Sequence, residues 1–314
     1  MQLNPSVLQK LNFLRLVPNK PASKTWLPSL DGLRAIAILL VLLEHITGNV
    51  FRDDLADNGA FFGPFLNFGD AGMGRSGVYL FFVLSSFLLT IQLLKPDINF
   101  KDFKLWVNYG FKRLIRIYPL YLFILLVYLI FPSFQYSLKD VFEHLILQKA
   151  GNHFWTIPVE IKYYLILPGI VWLLTKSLKR NIVHVTVLLA VFSVLSKFLE
   201  LTIWSPERLS ILPHLPIFLI GSLAAIIHTN LVNLSERINC NIKFSMEAIS
   251  IGSILTILLT LKTVPTCFLW ELLLGLEMPS FPSNHWLYLL HGLLWATFLV
   301  SHLHGKGQMS RLLS

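Results

Sequence analysis

The feature that most constrains this chain is a series of apolar blocks, nearly free of charge, each close to the length that crosses a bilayer. A spanning helix needs roughly 20 apolar residues. Blocks of this kind recur at 33–50, 77–94, 117–132, 157–175, 182–203, 211–228, 246–264 and 285–303. Only 14% of the 314 residues are charged and 54% are hydrophobic, whereas a soluble domain carries about 25% charged residues. Too little charge is present to cover a water-facing surface. The chain is therefore expected to fold as an all-α, polytopic transmembrane bundle of about eight spans, or nine if the short apolar stretch 267–276 also crosses.

The net charge of +9 does not point to nucleic acid, because the basic residues fall between the apolar blocks and mark a cytoplasmic side. Lys10, Arg15, Lys20 and Lys24 precede the first block with no acidic residue among them. In the next loop, Arg52 and Arg75 are outnumbered by Asp53, Asp54, Asp57 and Asp70. Residues 95–116 are basic again through Lys95, Lys101, Lys104, Lys112, Arg113 and Arg116, as is the turn with Lys176, Lys179 and Arg180. The alternation predicts a cytoplasmic arm over 1–30, a membrane domain over 31–304 and a cytoplasmic tail over 305–314. The arm, with Pro5, Pro18 and Pro21, does not read as a cleavable signal peptide. Over 138–149, Leu138, Val141, Phe142, Leu145 and Ile146 follow helical spacing, with Lys139, Asp140, Glu143 and Lys149 elsewhere, which predicts a helix lying in the membrane interface. Cys240 and Cys267 make no disulfide framework and lack metal-ligand spacing, so no metal site is expected.

Ionisable residues at membrane depth are costly, which makes them candidates for function. Arg34 and His45 are eleven positions apart, so they share one helix stripe at a separation of roughly 16 Å. Arg34 falls near the cytoplasmic side and His45 in the outer half. Glycines at 72, 74 and 77 precede Ser85 and Ser86 in the second block, where close helix approach is expected. Arg113 and Arg116 share a helix face and can clamp phosphate groups bidentately, or else anchor the chain to anionic lipid. Glu160 stands at the start of a span after Trp155 and Thr156, with Tyr163 and Tyr164 three and four positions on, so all can face one cavity.

Together these segments resemble the acyltransferase 3 family of bacterial membrane O-acyltransferases. That family has an Arg-x10-His in a DGLRAIA-like first helix, met by Arg34 and His45, and a GV-x-x-FFVLSGF-like second helix, met from Gly77 to Phe87. Its RxxRIxPxY pattern is met from Arg113 to Tyr121, its W-[ST]-L-x-x-E-x-x-[FY]Y segment from Trp155 to Tyr164, and a later FxxGxxxA from Phe218 to Ala225. The likeness covers residues 28–228. Ser86 stands where the family usually has Gly, and the closing Tyr288-Leu289-Leu290-His291 follows an abbreviated stretch over 246–284.

The resemblance implies transfer of an acyl group, usually acetyl, from cytoplasmic acyl-CoA to a hydroxyl of an extracytoplasmic glycan or lipid-linked acceptor, in a bacterial inner membrane. Arg34, Arg113 and Arg116 would bind acyl-CoA as a co-substrate, with no permanently bound cofactor. His45 and Glu160 would be catalytic, and Trp155, Tyr163, Gly77, Ser85 and His291 would serve the acceptor side or the scaffold. The rival reading from the residues alone is a multi-span transporter that uses Arg34, His45 and Glu160 as substrate or proton sites.

Overall fold

A computed structural model describes residues 28–50, 72–95, 98–149, 151–178, 180–202, 211–234, 240–261, 271–273, 275 and 285–305. The expected arm before residue 28, most of the stretch 267–276 and the tail beyond 305 lie outside the described residues. Every regular element among the described residues is helical. The long helices are α1 (Pro28–Val50), α2 (Met73–Leu93), α3 (Phe103–Ile130), α5 (Thr156–Trp172), α6 (Ile182–Thr202), α7 (Leu215–Leu234), α8 (Cys240–Thr260) and α9 (His285–His304), with a short α4 (Leu138–Leu145) after α3. Among the described residues, Met73–Leu93, Phe103–Ile130, Thr156–Ser177 and Leu215–Val232 are long and apolar enough to cross a membrane. By length and composition these helices make the protein a membrane protein. The count of eight spans rests on the sequence alone.

α2 is the hub, packing against α1, α7, α9 and α5. Its glycines explain the close contact with α1. A Cβ on Gly77 would fall 2.7 Å from the Ala37 carbonyl oxygen, and the Gly74 N–H donates to Glu44 at 2.6 Å. The two helices are therefore antiparallel, with His45 at the end that holds Met73 (the upper end) and Leu93 at the lower end. On its other side α2 meets α7, where a Cβ on Gly221 would lie 1.9 Å from Ser86 Oγ. The serine at position 86 is thus accommodated by the glycine facing it.

α3 and α5 each hold an internal proline, and in α5 the backbone group it frees finds a partner. Pro168 has no N–H to offer the Tyr164 carbonyl, and the Tyr109 hydroxyl of α3 donates to that carbonyl at 3.2 Å. α5 closes in a π turn over Leu173–Ser177. Beyond it, Arg180 reaches the Leu94 carbonyl at 2.7 Å, tying the lower ends of α5 and α2.

The helix expected over 138–149 is present as α4. Tyr128 of α3 stacks on Phe134 with centroids 4.0 Å apart and meets Tyr136 at 5.1 Å. The Tyr121 hydroxyl bonds His144 Nδ1 at 3.0 Å, and the Tyr118 hydroxyl donates to the Leu145 carbonyl at 3.0 Å. Val141 is buried against α3, while Leu138, Phe142 and Ile146 face outward. The amphipathic pattern was legible as a helix, and its apolar residues divide between a packed aromatic core and an exposed face.

α5 starts beside the middle of α2. Trp155 meets Phe82 edge-on at 6.2 Å, and Ser85 donates to Glu160 at 2.8 Å. Phe82 is nine residues below Met73, about 14 Å down α2.

Candidate functional site

A cavity of about 380 Å³ lies between the upper half of α1, α2 and the start of α5. Its walls are Ile38, Val41, Leu42 and His45 of α1, Gly77, Val78 and Phe81 of α2, and Trp155 with Thr156. Three residues singled out from the sequence, His45, Gly77 and Trp155, therefore meet in one space. Trp155 meets Phe82 edge-on and lies at a tilt against His214, with centroids 4.9 Å apart.

Glu160 lies one turn beyond Thr156, about 6 Å farther down. Its Oε1 accepts hydrogen bonds from Ser85 and from the Tyr164 hydroxyl. Arg113 and Arg116 lie within electrostatic reach of the carboxylate. Arg34 stands one turn below Ile38 on the same stripe of α1 and pairs with Asp31 at 2.7 Å. Because Ala37 packs on Gly77, Arg34 is near the middle of α2 and not at its lower end.

His45 and Glu160 are not brought together. His45 neighbours Glu44, which is bonded to Gly74, while Glu160 is bonded to Ser85; eleven residues of α2, about 16 Å, separate those levels. The two therefore cannot work as a hydrogen-bonded dyad.

A second cavity, of about 370 Å³, lies between α3 and α5 on the other side of Tyr164. Trp106, Tyr109, Gly110 and Arg113 form its α3 wall, and Ile161, Tyr164, Leu165 and Pro168 the α5 wall. The Arg113 guanidinium sits 5.6 Å from the Tyr109 ring and donates weakly to Gln92 at 3.4 Å. Its buried Nε has no hydrogen-bond partner among the described residues. Gln92 is one residue from the end of α2, so Arg113 reaches toward the lower end while remaining close to Glu160. Arg116 is exposed.

Two expected residues belong to the scaffold. Tyr163 is fully buried, stacks on Phe218 at 4.0 Å and bonds Ser222, which in turn bonds Thr90. It points to α7, and Tyr164 is the tyrosine that joins Glu160. His291 is clamped between Ser76 at 2.8 Å and Thr260 at 2.9 Å, with the Trp295 indole donating to Ser76. It locks α2, α8 and α9 together, away from the His45 cavity. Sequence reasoning placed Tyr163 and Tyr164 together with Glu160 and did not assign His214 to the site. The i,i+4 step from Glu160 was a signal for Tyr164, whereas His214 carried none before α7 was packed.

Among curated proteins, the chain is 26% identical over 185 residues to the peptidoglycan O-acetyltransferase OatA of Listeria monocytogenes, covering 50% of this chain and 26% of that protein. It is 26% identical over 208 residues to the O-acetyltransferase OatA of Staphylococcus aureus, covering 58% of this chain and 30% of that protein. A putative peptidoglycan O-acetyltransferase, YrhL of Bacillus subtilis, is 37% identical over 106 residues, 32% of this chain and 13% of that protein. The chain thus spans less than a third of the length of these relatives. No solved structure matches it. The family model described as an acyltransferase domain matches residues 27–314, nearly the whole chain, and the protein belongs to that acyltransferase 3 family.

Proposed function

We propose that the protein is a membrane O-acetyltransferase that moves an acetyl group from cytoplasmic acetyl-CoA to a hydroxyl of an extracytoplasmic glycan. The amino terminus and the lower end of the bundle face the cytoplasm in this reading, in keeping with the basic loops. The observation that carries it is the Trp155–Tyr164 motif, which supplies Trp155 and Thr156 to the cavity lined by His45 and Tyr164 to the cavity lined by Arg113. The names of the relatives favour a peptidoglycan-like acceptor.

The chemistry assigns a task to each end. Arg113 and Arg116 bind the phosphates of acetyl-CoA at the lower mouth through charge-assisted bonds. The thioester arm passes Tyr164 and Glu160 into the upper cavity, with Arg34 at its foot. His45 takes the proton of the acceptor hydroxyl as the oxygen attacks the thioester carbonyl. The C–O bond forms, the C–S bond breaks, and the coenzyme A thiolate recovers the proton. Glu160, fixed by Ser85 and Tyr164, holds the arginines and the arm in register.

His45→Ala tests the reading in purified, liposome-reconstituted protein supplied with radiolabelled acetyl-CoA and a peptidoglycan oligosaccharide. Loss of a general base costs roughly 10²–10⁴-fold. A variant that folds normally and keeps more than about a tenth of the rate removes His45 from that role.

A further inference from the structure

The upper cavity is built unlike a site for a free sugar. Apart from His45 and Thr156, its walls are hydrocarbon and aromatic. Two of those wall residues, Ile38 and Leu42, are 59% and 49% exposed, so the cavity opens sideways through the outward face of α1. That opening lies in the upper half of a membrane bundle, where the outward face meets lipid chains. Hydroxyls pressed against such walls lose their water without replacement, which disfavours a bare sugar there. A hydrocarbon chain meets no such penalty, because the bilayer it leaves is equally apolar. The outer rim carries the complementary charge. Arg75, exposed, stands one turn above Val78 on α2 and within electrostatic reach of Glu44, the neighbour of His45.

We propose that the acceptor is lipid-borne: a glycan joined through a phosphate to a long apolar chain, which enters the cavity laterally from the bilayer. The chain lies against Ile38, Leu42, Val78 and Phe81, the phosphate sits at Arg75, and the glycan hydroxyl meets His45 from above. This rests on the acyl-transfer reading and narrows it to acceptors presented by the membrane.

The test uses the full chain in liposomes with acetyl-CoA and one peptidoglycan disaccharide in two forms, free and carried on polyprenyl phosphate. The lipid-linked form is expected to react with a kcat/KM at least about tenfold higher. Ile38→Trp and Leu42→Trp should raise its KM by about tenfold. Arg75→Ala should do the same for the phosphate-linked acceptor, yet leave an alkyl glycoside without phosphate unaffected. A photoreactive residue at Leu42 should crosslink the lipid-linked acceptor in the His45→Ala background, a readout that needs no turnover. Equal use of the free disaccharide, or crosslinking to bulk phospholipid that the lipid-linked acceptor does not displace, overturns the lipid-borne proposal alone. Failure of either form to release coenzyme A from acetyl-CoA defeats the parent reading instead.

Discussion

Tyr164→Phe removes one of the two hydroxyls that donate to Glu160 and leaves the ring in place. Ser85 then remains as the other donor to the same oxygen, at 2.8 Å. A hydrogen bond to a charged group contributes about 1.5–3 kcal/mol, and about 1.4 kcal/mol is tenfold in rate. If the ionised carboxylate is the working form, kcat/KM should fall by roughly 10- to 150-fold. Ser85→Ala should produce a loss in the same range. The two bonds end on one oxygen, so each single variant keeps a donor that the double variant lacks. The double variant should therefore lose more than the product of the singles, with a coupling of about 0.5–3 kcal/mol. The assay is initial rate against acetyl-CoA in liposomes, with thermal melting run alongside to separate misfolding from chemistry. A Tyr164→Phe protein that melts normally and works within about twofold of the parent refutes the reasoning, because the bond then contributes nothing to the reaction.

Three further predictions concern the frame around the site. Gly221→Ala should destabilise the detergent-solubilised protein by about 1–3 kcal/mol, read as a lower melting temperature. Ser86→Ala should restore only part, since the new Cβ also falls 2.5 Å from the Val83 carbonyl oxygen. Tyr109→Phe should cost about 1 kcal/mol by orphaning the Tyr164 carbonyl. That cost should shrink in a Pro168→Ala background, where the helix supplies its own N–H. Finally, burial, reinforced by Lys149, holds His144 below its ordinary value, so the folded chain keeps this imidazole neutral. As pH falls below about 6.5, the unfolded chain gains a proton that the folded one resists, and the packing of α4 on α3 weakens. Asp140, held well below the carboxylate range by Lys149 and Ser137, stays ionised throughout that window. Hydrogen exchange across 138–146, corrected for intrinsic rates, should show protection falling between about pH 7.5 and 5. His144→Gln should flatten the change.

What the sequence made legible was whatever depends on one helix alone. Block length and charge located the long helices, because crossing hydrocarbon demands both at once. The stripe from Arg34 to His45 and the step from Glu160 to Tyr164 followed from 3.6 residues per turn. What stayed hidden depends on register between helices. Nothing in the run from Leu138 to Ile146 says whether its apolar stripe meets lipid or α3. The answer came from Tyr118, Tyr121 and Tyr128, one helix earlier. The register of Arg34 against α2 came only with the packing of Ala37 on Gly77. Tyr163 and Tyr164 looked interchangeable until Phe218 and Ser222 of α7 claimed the first.

The start of α5 beside the middle of α2 decides which motifs can meet. Phe82 and Ser85 hold Trp155 and Glu160 at that level, so Trp155 and Thr156 form the far wall of the cavity that His45 lines. One helical turn farther on, Glu160 accepts from the Tyr164 hydroxyl, and Tyr164 lines the cavity that Arg113 shares. The single motif from Trp155 to Tyr164 therefore contributes side chains to both cavities. Arg113 on α3 and His45 on α1 are related through that motif, which is why neither helix alone reveals the site.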